Sequence, residues 1–139
     1  MTRPAPVLTG GCLCGAVRYR IEAAPLVTLI CHCATCRRAA GAQSVAWGTF
    51  PGAAFAWTAA APARHASSPG VARAHCAACG ASLTWQGEPH TIDVTLASLD
   101  DPEAAPPVCE TWLSHRLSWA PTDPSLPAFA EGVPSPIDP

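Results

Sequence analysis

Seven of the eight cysteines in this chain fall in three tight groups: Cys12-x-Cys14, Cys31-x-Cys33-x-x-Cys36 and Cys76-x-x-Cys79, with Cys109 alone. Thiolates are soft ligands that suit Zn²⁺ at about 2.3 Å in tetrahedral sites, and such sites collect ligands in close pairs from separated segments. Cys12 and Cys14 are spaced to face one ion from an extended segment, with Leu13 turned to the core, and Cys76 and Cys79 form an ordinary knuckle. The four together make a closed Cys₄ set. The triplet Cys31, Cys33 and Cys36 supplies only three thiolates. Either its ion keeps an open coordination place, the mark of a catalytic rather than a structural zinc, or Cys109 closes a second Cys₄ site. Spacing leaves both alternatives open. The triplet spacing differs from the ferredoxin runs that hold iron–sulfur clusters, which leaves two Zn²⁺ per chain as the expected metal content.

The metal reading rests on the compartment. Ala5 to Leu8 is too short an apolar run for the core of a secretory signal, so a cytoplasmic location is expected, where thiols stay reduced and bind metals in preference to pairing as disulfides. The stretch from Ala39 to Ala63 carries no charge, but glycines, prolines, Gln43 and Ser44 interrupt it, so no membrane association is expected. All eight basic residues are arginine, the net charge is −2, and no basic run exceeds Arg37-Arg38, so no nucleic-acid partner is expected.

The elements that must position the cysteines are short. The chain has 139 residues, 49% of them hydrophobic and only 13% charged, about half the share usual in soluble domains. Its 16 prolines and 10 glycines are scattered, which excludes long helices. One core is expected, with few ion pairs and a metal clip to hold it. In small zinc peptides such coordination is worth about 10–16 kcal/mol, comparable with the roughly 5–15 kcal/mol net stability of a whole domain.

Residues 1–9 read as a lead, with Gly10-Gly11 turning the chain into Cys12 through positive φ. Val17 to Glu22 alternates apolar and charged residues as a half-buried strand does. Pro25 to Ile30 is a strand that delivers Cys31, and Thr35 to Ala40 is the one short helical turn, closed by Gly41. Further strands are expected at Ser44 to Phe50, Phe55 to Thr58, Val71 to His75, Ser82 to Gln86, Thr91 to Leu99 and Thr111 to Leu113. Ala59 to Gly70 reads as a loop with a short strand near Arg64. Residues 121–139 are a proline-rich C-terminal tail, expected to be weakly ordered.

Among the other candidates, His32 sits between two ligands and on an extended backbone points away from their metal. Arg37 and Arg38 are counter-charges beside Cys36. Asp93 and the Asp100-Asp101 pair read as turn caps, His115-Arg116 as surface ahead of the alternative, a contact for an anionic substrate, and the five tryptophans as core, with one or two at a pocket mouth.

The run Gly10-Gly11-Cys12-Leu13-Cys14-Gly15-Ala16-Val17-Arg18-Tyr19, then Cys31-His32-Cys33-x-x-Cys36-Arg37 with Gly41 following, then Cys76-x-x-Cys79-Gly80, resembles the glutathione-dependent formaldehyde-activating enzyme family, which includes the centromere protein V domain. Ile92-Asp93-Val94 through Leu99-Asp100 fits as well, and the similarity runs over residues 10–120. The resemblance implies an all-β, zinc-stabilised Mss4-like (β-tent) single domain. It assigns Cys12, Cys14, Cys76 and Cys79 to a structural zinc and Cys31, Cys33 and Cys36 to a catalytic one. It implies a carbon–sulfur lyase type of activity on a small-molecule thiol such as glutathione, joined to formaldehyde as S-hydroxymethylglutathione. The family pattern does not require Cys109, and a histidine is commonly met near the place that Glu110 holds here. The competing expectation is a non-catalytic module with two structural zincs that binds a protein or small ligand.

Overall fold

The computed structural model describes residues 3–134. Ten strands and one helix follow in chain order: β1 (Leu8–Gly11), β2 (Arg18–Ile21), β3 (Val27–Cys31), α1 (Ala34–Ala40), β4 (Val45–Pro51), β5 (Phe55–Trp57), β6 (Ala63–Ser68), β7 (Val71–His75), β8 (Ser82–Gln86), β9 (Thr91–Thr95) and β10 (Glu110–Thr111). They build a three-stranded sheet in the order β1-β2-β5 and a seven-stranded sheet in the order β10-β3-β4-β9-β8-β7-β6. All pairs are antiparallel except β10 with β3, which run parallel. The fold is thus all-β with one short helix. No helix among the described residues is long and apolar enough to cross a membrane.

Strand alternation gives the large sheet two working faces. In β4, Ala46 and Phe50 pack into the main core with Ile92 and Val94 of β9, Leu83 of β8, and Val17, Tyr19 and Ile21 from around β2. Val45 and Trp47 turn the other way, onto a second cluster with Cys31 and Cys36. The main core lies between the two sheets, where Tyr19 stacks on Phe55 at 5.4 Å and both meet Trp57 edge-on. A row of polar contacts seals one side of it. Arg18 Nη1 donates to Asp100 Oδ1 at 2.9 Å, Nη2 pairs with Asp100 Oδ2, and Thr9 Oγ1 donates to the same carboxylate at 2.7 Å. The Arg18 guanidinium holds the Asp100 carboxyl down to about 2. Asp100 therefore joins the sheets, and it does not cap a turn.

Several sequence expectations change in the structure. Gly10 and Gly11 are paired residues of β1, opposite Tyr19 and Arg18, and neither has positive φ. Glycine is needed at position 10 for closeness: a methyl there would collide with the Tyr19 hydroxyl and the Ser98 carbonyl. Ala63–Ser68, expected as mostly loop, is an exposed edge strand with its own hydrogen-bonded partner in β7. Strand β9 stops at Thr95, and Leu96–Ser98 forms a 3-10 turn, because the chain must swing toward β1, where Gly10 bridges Leu99. The segment expected to be a weakly ordered tail is held by backbone bonds. Glu110 N–H donates to the Pro127 carbonyl and Phe129 N–H to the Glu110 carbonyl, both at 2.9 Å, while Trp112 N–H donates to Glu131. Residues 135–139 of that tail lie outside the described residues.

One buried polar pair fixes this end of the molecule. His32 and Glu110 are essentially inaccessible, at 0% and 1% exposure, and His32 Nε2–H donates to Glu110 Oε1 at 2.8 Å. The second carboxylate oxygen accepts from Asp123 N–H at 2.8 Å. Parallel pairing of β10 with β3 thus brings Glu110 beside the end of the strand that carries Cys31.

Replacing Gly10 with alanine is expected to destabilise the protein by about 1–3 kcal/mol through this overpacking, read as a lower midpoint in urea unfolding at unchanged slope.

Candidate metal centres and active site

The four-cysteine group assembles where the two sheets meet. Cys12 follows the last residue of β1 and Cys76 the last residue of β7, so one segment comes from each sheet. Gly15 and Gly80, at φ 81° and 79°, make the left-handed turns that fold Cys14 and Cys79 back toward them. Gly80 N–H donates to the Cys76 carbonyl at 2.8 Å, and Cys79 N–H donates to Cys76 Sγ at 3.4 Å. The four sulfurs lie within 4.8 Å of one another, with Cys12–Cys14 at 3.6 Å and Cys14–Cys76 at 3.8 Å. A tetrahedron with metal–sulfur bonds of about 2.3 Å has edges of about 3.8 Å. The group fits one ion closed on all sides.

Its local geometry is a turn where an extended strand was expected. Gly15 N–H donates to the Cys12 carbonyl at 3.2 Å, so alternation does not apply between Cys12 and Cys14, and Leu13 is 88% exposed instead of facing the core. Val17 N–H donates to Cys12 Sγ at 3.3 Å. That N–H, together with the neighbouring Cys14, Cys76 and Cys79 thiols, brings the Cys12 thiol down to about 6.

The triplet sits on the opposite face of the large sheet. Cys31 ends β3, Cys33 caps the N-terminus of α1, and Cys36 lies in the first turn of α1. Cys33 Sγ accepts from Cys36 N–H at 3.3 Å and lies 3.2 Å from Thr35 Oγ1, and Gly41, at φ 63°, closes the helix as expected. All three sulfurs lie within 4.8 Å of one another. The Cys31 and Cys36 thiols donate toward Cys33 and, with Thr35 and the Cys36 N–H, hold it far below the usual thiol range. The same bonds, with burial added, push Cys31 far up. Protons alone therefore allow one thiolate here, whereas a dication would take the place of the remaining protons, so the donor set fits a metal ion.

Cys109 does not join this group. Its buried Sγ turns to the Thr28 carbonyl at 3.8 Å, and burial pushes its thiol up. The cation beside the triplet also differs from expectation. Arg37 Nε donates to the His32 carbonyl at 3.3 Å, and it is Arg73 of β7 whose Nη2 reaches Cys36 Sγ, at 3.9 Å. His32 points away from the triplet, as its extended backbone predicts, and toward Glu110.

The triplet opens into a cavity of about 370 Å³ walled by Trp47, Trp85, Trp112, Leu29 and the Cys31–Cys36 segment. Arg73, Asp93 and His115 are its charged or titratable lining besides the cysteines. Trp112 stands at φ 57°, a conformation that is strained for a bulky residue, and its N–H bond to Glu131 and the His115 ring 5.1 Å away hold it there. His115, read as surface, is exposed and also lines the cavity. Asp93, read as a turn cap, is a half-buried residue of β9 opposite Thr49 and Trp85. The one signal for Asp93 was its place within the Ile92–Val94–Leu96 alternation. Arg73 gave no signal, because its role depends on strand pairing across the sheet.

Cys109→Ser is expected to leave the metal content per chain unchanged by elemental analysis. Cys79→Ser is expected to lose one ion and most of the domain's roughly 5–15 kcal/mol of stability, read as loss of a cooperative thermal transition.

No curated protein matches the chain at a significant level. Among solved structures, a crystal structure of a Rhodobacter sphaeroides protein superposes with a TM-score of 0.58 at 23% identity, covering 69% of this chain and 93% of the other. That likeness speaks for the fold alone. The profile of the glutathione-dependent formaldehyde-activating enzyme family matches residues 7–115, a span that holds both cysteine groups and the strands that carry them. The chain belongs to the glutathione-dependent formaldehyde-activating enzyme family.

Proposed function

We propose that this protein is a zinc-dependent carbon–sulfur lyase-type enzyme that adds a thiol, glutathione in the first place, to a small aldehyde such as formaldehyde. In this reading Cys31, Cys33 and Cys36 are the catalytic set and hold one zinc ion, while Cys12, Cys14, Cys76 and Cys79 hold a second, structural one. The observation that carries it is the three-sulfur group with no fourth sulfur among the described residues, set in the wall of a tryptophan-lined cavity. A closed four-cysteine site offers a substrate nothing, whereas a three-cysteine site leaves a place for one more donor. A zinc ion bound there would supply Lewis acidity and favour the anionic form of a thiol or oxygen.

The remaining work falls to the chain. Addition forms one C–S bond, converts the aldehyde C=O to C–O–H, and carries the thiol proton to that oxygen, so atoms and electrons balance with no further reactant. Trp47, Trp85 and Trp112 give the site apolar walls, beside which electrostatic interactions are stronger than in bulk water. Arg73 lies against Cys36 and offsets the negative charge that three thiolates concentrate. Packing of β3 and α1 around Cys31, Cys33 and Cys36 keeps the sulfurs converged before any ligand arrives. A cytoplasmic location, with its pool of reduced thiols, suits both the ligands and the substrate.

Cys33→Ser is expected to retain the fold and the four-cysteine ion while lowering thiol-dependent formaldehyde consumption by about 100-fold or more. Undiminished turnover in a folded Cys33→Ser variant would instead support a binding module with two structural ions.

A further inference from the structure

The cavity carries a carboxylate, Asp93, that thiol addition does not use. Arg73 of β7 stands opposite Trp85 of β8, and Trp85 stands opposite Asp93 of β9. These three residues form one row across three adjacent strands and all line the cavity. Strands lie about 4.8 Å apart, so the two ends of the row are separated by about 10 Å of sheet, with the Trp85 indole between them. The Arg73 end touches Cys36 and therefore marks the reacting end. Asp93 is at the other end of this row and is not part of the triplet group.

Asp93 has no cation partner within ion-pair distance among the described residues. A Thr49 hydrogen bond offsets only part of its desolvation, which pushes the carboxyl up to about 6, so that it is still mostly ionised near pH 7. A half-buried carboxylate left without a cation is costly, and a cationic group on the ligand relieves that cost. Arg73 Nη1 at the other end, and Trp47 Nε1 on β4 in the cluster with Cys31 and Cys36, are enclosed donors without acceptors among the described residues. The cavity thus offers enclosed donors beside the triplet and a separate carboxylate acceptor on β9.

We propose that Asp93 is a specificity-determining residue that binds a primary ammonium group carried by the thiol substrate at the end remote from its sulfur. The ligand class is an amino-acid-bearing thiol, and the γ-glutamyl ammonium of glutathione has the required chemistry. The indole of Trp85 supports the intervening chain, and the donors near the triplet take the ligand's carbonyl or carboxylate oxygens. This inference rests on the thiol reading of the same site and extends it to the far end of the substrate.

The test is calorimetric binding of glutathione and of its desamino analogue, in which a glutaryl group replaces γ-glutamyl, to zinc-loaded protein. Wild type is expected to bind glutathione about tenfold or more tightly than the analogue. Asp93→Asn, which keeps the shape, is expected to erase that preference by weakening glutathione while leaving the analogue unchanged. Equal affinity of wild type for the two thiols overturns the role of Asp93 and leaves the thiol reading intact. Failure of the metal-loaded protein to bind either thiol overturns both. The comparison of two ligands on wild type decides the matter even where the variant does not fold, and a preference that survives in a folded Asp93→Asn protein also rejects the proposal.

Discussion

Four sulfur atoms from both sheets are brought within one tetrahedron's reach, where a single metal ion would clip the sheets together, and the rest of the structure is arranged around that junction. Cys12 arrives from the end of β1 and Cys76 from the end of β7, and both are members of the main core between the sheets. The three-stranded sheet is small, and a sheet of that size gains stability only by packing on something else. Beyond the shared hydrophobic core and the sulfurs, a few contacts among the described residues tie it to the rest: Tyr19 with Ser98, Arg18 and Thr9 with Asp100, and the close approach at Gly10. The Arg18–Asp100 pair is partly exposed, and such pairs contribute little in water. A chain with 13% charged residues has few ion pairs to add to the core between the two sheets.

That arrangement frees the opposite face of the large sheet. Because the main core and the four-sulfur clip occupy one side, β4 can turn Val45 and Trp47 to the other side, beside Cys31 and Cys36. Two sulfur groups with similar donors thereby have different surroundings. One lies where the two sheets meet, with four sulfurs, and the other lies in a cavity wall with three. The buried His32–Glu110 pair serves the second face. It anchors the residue between two of the triplet cysteines to β10, and through Asp123 and Pro127 it draws the C-terminal segment up until Gly132 and Val133 complete the cavity.

The ligand groups were legible in the sequence because metal-binding pairs are local. Cys76-x-x-Cys79-Gly80 and Cys31-x-Cys33-x-x-Cys36 need only a turn or a helix start, and those follow from neighbouring residues. The same locality made the short helix and its Gly41 stop readable, along with most of the strands. Errors arose where one residue type admits two local structures. Cys12-Leu13-Cys14 reads as a strand by alternation but folds as a turn around Gly15, so Leu13 faces solvent. Gly10-Gly11 reads as a turn but is a strand pressed against Tyr19.

By itself the sequence determined the family, the all-β class and the two sets of clustered thiols, because each is written in residues within a few positions of one another. Tertiary structure alone decided that Cys109 stays apart from the triplet, that Arg73 and not Arg37 or Arg38 meets Cys36, and that Asp93 shares a row with Arg73 across Trp85. Those outcomes depend on which strands lie side by side and in what register. A shift of one residue would turn Asp93 to the other face of the sheet, and no local preference of the chain encodes that choice.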